Sequence, residues 1–498
     1  MNKQPNILFI IADQHNAKVF GHKGHPHVKT PNLDQFASEG VRFENAITQA
    51  PICMPSRTSI FSGQYPHNHG YYGNEGPHPG GLPSLFGFFR QANYRVGAMG
   101  IVHLPDRWAY DDCDVVHNLR GVDAGGAQGY AEYLAERGLE NEITSDTVDG
   151  RVSNLDHEDS LEGWTVRNAI NFMEQSIESG QPFFLNVNFL KPHSPYFPSR
   201  QFWDMYDPEQ LTFPPNMDYD MSLKAPNLQK QVAYFRSGQW TKYEPRTFEA
   251  GRLRKLRGYL GCVSEVDYSM GQLLAWLRDN NLEQDTIVVY TSDHGDYACE
   301  HSLMEKAPGI CSDAITRVPS IWRWPGHFKA GHVAKEIIEN VDITPTLCAL
   351  AGLGTKETCD GVDISHLLQG QSGEVHRVGV TEFAWSKSVR KGNYRYVYYP
   401  REMFPAEYPD GNFGELYDLE ADPWEMRNLY FEPEYASVVN DMRLELMNWL
   451  VTTTRPRTVH ALPTYTSRQT ITRNGHTVNL DGKVHPNRLR QLKMRNYL

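Results

Sequence analysis

Asn6-Ile7-Leu8-Phe9-Ile10-Ile11-Ala12, followed at once by Asp13-Gln14, is the stretch on which the fold turns. A short apolar run of this kind, rich in β-branched and aromatic residues, reads as a strand. A second run, Thr286-Ile287-Val288-Val289-Tyr290-Thr291, ends just before Ser292-Asp293-His294. A third, Pro182-Phe183-Phe184-Leu185-Asn186-Val187-Asn188-Phe189, reads as a buried strand and leads into Lys191-Pro192-His193. In open α/β sheets, ligands bind outside the carboxyl ends of the strands. Asp13 and Asp293, each just past a strand end, are therefore candidates for one site.

Between these strands the pattern is helical. Thr30-Pro31-Asn32-Leu33 opens a helix, with Thr30 placed to cap it, Pro31 in the first turn and Gly40 to close it. Residues 259–277 form another. Strands alternating with helices predict an α/β fold: a large mixed, mostly parallel sheet sandwiched by helices. The pattern changes near Gly370 and Gly373. Beyond it, residues 378–383, 394–399 and 414–419 are strand-like, and residues 438–451 form an amphipathic helix. The chain divides accordingly into a catalytic α/β domain over 1–370, a smaller C-terminal α+β subdomain of antiparallel strands over 371–453, and a tail over 454–498. Within the tail, Thr470-Ile471-Thr472-Arg473-Asn474-Gly475-His476-Thr477-Val478 places a hairpin around Asn-Gly. A lone hairpin is marginal in water. The tail is therefore expected to dock on the body or on another subunit, in the latter case as the oligomerisation arm of a homodimer or homotetramer.

The 498 residues are 40% hydrophobic, ample for a large core, and carry a formal net charge of −12. An acidic chain is a poor binder of nucleic acid or of an anionic membrane, so neither is expected as a partner. It also repels an anionic substrate, so a site for one needs cations of its own. No run approaches the ~20 apolar residues of a membrane span. The opening run is too short for a secretory leader, and a cytoplasmic protein is expected. The cysteines Cys53, Cys113, Cys262, Cys299, Cys311, Cys348 and Cys359 form no close-spaced pairs, unlike a disulfide framework or a zinc knuckle. Cys53 is set apart by its neighbours.

Cys53-Met54-Pro55-Ser56-Arg57 is followed by Thr58-Ser59-Ile60-Phe61-Ser62-Gly63. Together with Asp13-Gln14 upstream and Ser292-Asp293-His294-Gly295 downstream, this resembles the formylglycine-dependent (type I) sulfatases of the alkaline-phosphatase-like superfamily. In that family the cysteine of C-x-P-S/A-R is oxidised to formylglycine by a maturation enzyme. The resemblance implies that Cys53 becomes this aldehyde and that such an enzyme is a partner. An aldehyde hydrate carries two hydroxyls on one carbon. One attacks sulfur in line, and the other expels the sulfate by collapse to the aldehyde, which splits one hard displacement into two easier steps. The attacking hydroxyl needs a depressed pKa, hence a divalent cation. The resemblance assigns its ligands to Asp13, Gln14, Cys53, Asp293 and His294. Oxygen-rich sites suit calcium or magnesium, and imidazole favours transition metals. Calcium is the first expectation, with manganese or magnesium as alternatives.

The same resemblance implies further roles. Arg57 lies beside the nucleophile, and its fork suits a tetrahedral oxyanion or the formylglycine itself. Glu300-His301-Ser302-Leu303-Met304-Glu305-Lys306 is similar to the family's E-H-x-x-x-x-K, whose Lys contacts the sulfate. This makes Lys306 a catalytic candidate and His301 a substrate-binding one. Lys191-Pro192-His193-Ser194-Pro195 resembles the element whose His protonates the leaving alcohol. Gly100-Ile101-Val102-His103 resembles the element whose His103 counterpart assists deprotonation of the hydroxyl. Imidazoles suit both tasks because they titrate near working pH.

One position departs from the pattern. Ile101 stands where the family's usual Lys bridges nucleophile and sulfate. Phosphonate monoester and phosphodiester hydrolases of the superfamily also lack this Lys, and they carry an Asn downstream of the nucleophile, at a distance that Asn74 matches. Three functions follow in order of expectation. The first is a sulfatase acting on a small-molecule or saccharide sulfate ester. The second is a phosphonate monoester or phosphodiester hydrolase, with both activities in one site as a variant. The third is a pseudoenzyme that only binds an anion.

Overall fold

The computed structural model describes residues 4–74, 81–105, 108–119, 129–143, 150–237, 248–306, 310–354 and 359–455, and the backbone of 470–473 and 476–479. Among the described residues, nine strands make one sheet: β1 (Asn6–Ala12), β2 (Val41–Ile47), β3 (Arg95–Gly100), β4 (Val115–Asn118), β5 (Phe183–Phe189), β6 (Thr286–Thr291), β7 (Arg317–Val318), β8 (Ser320–Arg323) and β9 (His332–Glu339). Their order is β4-β3-β5-β1-β6-β8-β2-β7, with β9 also paired to β2. The pairs of β1 with β5 and β6, of β3 with β4 and β5, and of β2 with β9 are parallel. Those of β8 with β6 and β2, and of β7 with β2, are antiparallel. The sheet is mixed and mostly parallel, as the sequence predicts.

β1 sits inside this sheet, and every one of its residues is buried. Ile7, Phe9 and Ile11 pack on one face with Ile60, Phe61 and Leu347, from the helices Cys53–Ser62 and Ile343–Leu350. Leu8, Ile10 and Ala12 pack on the other with Val166 and Phe172 of the helix Leu161–Ser179 and Val266 and Met270 of the helix Phe248–Asp279. Helices on both faces explain why the run does not alternate with polar residues. Each such large side chain, fully buried, stabilises the fold by roughly 1.5–3 kcal/mol. The ends of β1 and β6 are thereby held rigidly side by side.

Two local expectations are corrected. Thr30 precedes the helix Pro31–Glu39, but its hydroxyl does not cap it. It accepts from Gly21 N at 2.9 Å and donates to Asp34 Oδ1 at 3.1 Å. The free N–H groups of Asn32 and Leu33 go instead to the Asp267 carboxylate, at 3.3 and 2.7 Å. Gly40 closes the helix as expected, with an extended backbone. The helix expected over 259–277 runs from Phe248 to Asp279. Its first turns are rich in charge, and Arg252 lies over the rings of Phe235 and Phe248, 4.9 Å from each.

A second, antiparallel sheet follows in chain order: β10 (Gly379–Glu382), β11 (Lys387–Lys391), β12 (Tyr394–Tyr398) and β13 (Gly414–Asp418). The helix Ala436–Thr453 covers it through Val439, Met442, Leu446 and Trp449. In the tail, β14 (Thr470–Arg473) pairs antiparallel with β15 (His476–Asn479). The turn Asn474-Gly475 and the rest of the expected arm lie outside the described residues. All seven cysteines are free. Among the described residues, no helix is long and apolar enough to cross a membrane.

Candidate active site

Asp13 follows β1 and is fixed by its N–H to Phe189 O at 3.0 Å. Asp293 follows β6. Cys53 begins the helix Cys53–Ser62, which Gly63 ends in the left-handed region (φ 67). The helix start is tied to the β6 end because the hydroxyls of Thr48 and Ser56 both donate to Asp293 O at 2.6 Å. Met54 N donates to Asn74 Oδ1 at 3.0 Å, which places Asn74 beside the start of that helix.

Arg57 organises the two carboxylates. Its Nε donates to Asp293 Oδ2 at 2.8 Å and its Nη2 to Asp13 Oδ2 at 3.2 Å. Nη1 donates to Ile101 O, Val102 O and Asn188 Oδ1 at 2.9, 3.2 and 2.9 Å. The outer oxygen of each acid is thus occupied. The inner oxygens, Oδ1 of Asp13 and of Asp293, stand 3.8 and 3.9 Å from His294 Nε2. Cys53 Sγ lies 3.1 Å from the same nitrogen and 3.7 Å from Asp13 Oδ1. One ligand atom from each of Asp13, Cys53, Asp293 and His294 lies within 4.8 Å of the others. His294 Nδ1 contacts Gly295 O at 2.9 Å, which assigns the proton to Nδ1 and leaves the Nε2 lone pair facing the cluster.

The charges agree with this geometry. Burial opposes ionisation of Asp13, but His193, Arg57, His294 and Lys306 outweigh it and hold the carboxyl below its usual range. Burial keeps the His294 ring below the ordinary histidine value, against the pull of Asp293. Arg57, wholly buried, is held above its ordinary value because Asp293, Asp13 and Cys53 outweigh desolvation. Two carboxylates, a neutral imidazole and residue 53 around one centre fit a divalent cation.

A second set of residues adjoins this centre. Lys306 Nζ donates to Gln14 Oε1 at 2.8 Å and contacts His193 Nε2 at 2.9 Å. Burial opposes the lysine's charge, and Cys53 and Asp13 restore it, so its pKa is raised. His193 Nδ1 faces Ser194 O at 2.5 Å. Gln14 itself has a left-handed backbone (φ 70). The structure thus brings together Asp13, Gln14, Cys53, Arg57, His193, Asp293, His294 and Lys306.

His103 lies on the loop after β3 whose Ile101 and Val102 carbonyls Arg57 holds. That loop leaves β3 through Gly100 (φ 92), where a Cβ would meet Asn188 O at 2.0 Å. Ile101 packs among Tyr130, Trp164 and Leu190. His301 joins a different network. Its Nδ1 contacts Tyr219 Oη at 2.7 Å, its Nε2 lies 3.8 Å from Glu425, and burial takes its pKa down to about 3. Sequence reasoning missed Asn188, which receives Arg57, and Asp296, whose carboxylate accepts from Gln14 Nε2 at 2.5 Å. The only signal for Asp296 is a third polar residue in Asp293-His294-Gly295-Asp296, just past a strand end.

The sulfatase family model matches residues 5–353, and that of the N-sulphoglucosamine sulphohydrolase C-terminal region matches 299–451. The arylsulfatase of Clostridium perfringens is 27% identical over 470 residues, covering 90% of this chain and 94% of that protein. The choline-sulfatase of Rhizobium meliloti is 28% identical over 448 residues, covering 86% and 83%. Among solved structures, the phosphonate monoester hydrolase of Silicibacter pomeroyi is similar in fold, with a TM-score of 0.76 at 21% identity over 96% of this chain and 99% of that one. A family match over most of the chain decides the matter: the protein belongs to the sulfatase family, hydrolases of sulfate esters.

Proposed function

We propose that this protein hydrolyses a sulfate monoester with a nucleophile made from Cys53. The observation that carries the reading is the position of Cys53 Sγ among the inner oxygens of Asp13 and Asp293 and the Nε2 of His294. Asp13, Gln14, residue 53, Asp293 and His294 are the proposed ligands of one divalent cation. Calcium is favoured by the oxygens, with manganese or magnesium as alternatives. When bound, such a cation acidifies a hydroxyl and stabilises developing negative charge. A formylglycine-generating enzyme is the proposed source of the aldehyde at position 53.

The chain's own residues do the rest. Lys306 sets a buried ammonium between Gln14 and His193, where it answers the charge of the sulfate. His193 is the proposed donor of the leaving oxygen's proton, from Nε2, the ring nitrogen that lies 2.9 Å from Lys306 Nζ. His103, on the loop that Arg57 pins, takes the proton of the attacking hydroxyl. Arg57 acts as a positioning residue, since Nε, Nη1 and Nη2 each donate to the protein, to Asp293, to Asn188 and two carbonyls, and to Asp13.

A second reading rests on Ile101. Its side chain packs into an apolar cluster and supplies no cation where sulfatases usually place a lysine. Phosphonate monoester and phosphodiester hydrolases of the superfamily also lack this lysine and carry an Asn downstream of the nucleophile, which Asn74 matches, its Oδ1 accepting from Met54 N at 3.0 Å.

The test is kcat/KM for an aryl sulfate and an aryl phosphonate monoester with one leaving group, after coexpression with a formylglycine-generating enzyme. The expected result is a preference for the sulfate, a mass change at Cys53, and a loss of at least about 10³-fold in Cys53→Ala. Turnover retained in Cys53→Ala sinks the assignment. A clear preference for the phosphonate promotes the second reading. An unmodified thiol that binds anions without turnover leaves only a pseudoenzyme.

A further inference from the structure

Asp296 carries no role in the chemistry above, yet its carboxylate is buried and fully engaged. Oδ2 accepts from Gln14 Nε2 at 2.5 Å and from Tyr196 Oη at 2.7 Å. Oδ1 accepts from the N–H groups of Ala298 and Glu305, at 2.6 and 3.1 Å. We propose that Asp296 is the positioning residue that decides which end of the Gln14 amide faces the cation site. The proposal rests on the reading of that site given above.

A glutamine amide has a donor end and an acceptor end of nearly the same shape, and they exchange when the group turns over. An ionised carboxylate only accepts. With Nε2 committed to Asp296, Oε1 faces the other way, toward Lys306 Nζ at 2.8 Å. The rest of Gln14 is already fixed. Its N–H donates to Asp293 Oδ1 at 3.1 Å, and its carbonyl accepts from Tyr259 Oη at 3.1 Å. Those contacts hold a non-glycine residue in the left-handed region (φ 70). Amide orientation is the freedom that remains, and Asp296 removes it.

The same carboxylate joins the three segments that present Gln14, His193 and Lys306. Tyr196 lies on the His193 loop, and Glu305 (φ 65) immediately precedes Lys306. Were Asp296 only a tether, any group of its shape and polarity would serve. Setting the amide makes the direction of each hydrogen bond matter. Asp296→Asn keeps the shape and reverses one direction. Its oxygen suits the backbone N–H groups of Ala298 and Glu305, which cannot turn, so its NH2 meets Gln14. Gln14 then turns its oxygen inward and aims an NH2 at Lys306 and the cation. Adding Gln14→Glu repairs this, because a carboxylate accepts on both sides, and the total charge of the pair is that of the wild type.

The experiment compares the full chain, D296N, Q14E and D296N/Q14E by calcium and manganese calorimetry, and by thermal melting with and without EDTA. D296N is expected to weaken cation binding by about 10-fold or more and to lower the Tm in EDTA. The double variant is expected to regain most of both, with non-additive Tm shifts around the cycle. If D296N does not fold, recovery of a folded protein in the double variant is the expected result. D296N binding cations like the wild type overturns the proposal, as does a double variant no better than D296N. Additive Tm shifts in EDTA also overturn it, even in a protein that binds no cation. Absence of ester turnover in the wild type would instead sink the sulfatase reading and leave this coupling to be judged on its own.

Discussion

At the ends of β1 and β6, Asp13 and Asp293 share one guanidinium. At the seam between the two sheets, Glu339 and Asp342 share one imidazole. Glu339 closes β9, Asp342 lies in the turn after it, and His376 precedes β10. His376 Nε2 lies 3.0 and 2.9 Å from the two Asp342 oxygens, and its Nδ1 is 4.0 Å from Glu339 Oε2. Val380 N, on β10, donates to Glu339 Oε1 at 2.8 Å, so the cluster fastens one sheet to the other. A guanidinium does not titrate in a protein, whereas an imidazole does. The first cluster therefore keeps its positive charge at any working pH, and with it Asp13 stays ionised. In the second, His376 and Glu339 both titrate. Burial opposes charge on His376, but Asp342 and Glu339 outweigh it and raise its pKa to about 9. Burial pushes Glu339 up to about 7, with His376 pulling the other way.

The hardest blow to this contrast is Arg57→Ala. It takes from two buried carboxylates the guanidinium that both accept from, and strips a partner from Ile101 O and Val102 O. We expect a loss of about 3–5 kcal/mol, read by urea denaturation in EDTA. Calcium should return part of it, because a ligand that binds only the native state stabilises that state. A loss below about 1 kcal/mol would mean that the guanidinium does not hold the two carboxylates in place.

Next in size is the alkaline limb of stability. The folded pKa of His376, about 9, exceeds its ordinary 6.5. Its contribution is complete below pH 6.5 and is lost as the pH rises through about 9. Glu339, raised from 4.5 to about 7, has the same sign, with its window between those values. Asp13, lowered from 3.8, has the opposite sign and weakens the fold only in strong acid. Between pH 7 and 9.5 we expect roughly 2 kcal/mol to be lost, and His376→Gln to flatten that limb. An unchanged limb in His376→Gln would dissolve the distinction between the two clusters.

The two clusters also differ in how far the sequence announces them. Asp13 and Asp293 follow unbroken apolar strands, and that placement is readable because β1 has helices on both faces. Cys53 and Lys306 stand in spaced motifs. The seam leaves little trace, for its partners come from separate segments. β11 goes unpredicted for a related reason. Lys387-Ser388-Val389-Arg390-Lys391 is polar, and ion pairs of Arg390 with Asp313 and of Lys391 with Asp441 and Glu445 do what apolar partners do elsewhere. Thr30 carries a local capping signal, yet the helix is capped by Asp267, 235 residues from Asn32. His301 sits in the expected motif, but its left-handed backbone (φ 52) accompanies a ring engaged with Tyr219 and Glu425.

The smallest effect is the sharpest test of proton sharing at the seam. Tyr65 Oη donates to Glu339 Oε2 at 2.5 Å. Tyr65→Phe removes that donor and keeps the ring, which stacks on His67 at 5.6 Å and meets the edge of Trp449 at 4.9 Å. Packing is preserved, so the cost is one hydrogen bond to a buried acid, about 1 kcal/mol. The donor favours the ionised form of Glu339, so its removal raises that pKa above about 7. The loss should therefore be largest near pH 8, where Glu339 is ionised, and should shrink toward pH 5, where it is protonated. Thermal melts of both proteins across that range read the difference. An equal loss at both ends would assign Tyr65 to packing alone. A fall in kcat/KM matching that of a ligand-set variant would show that the seam and the active site are one cluster rather than two.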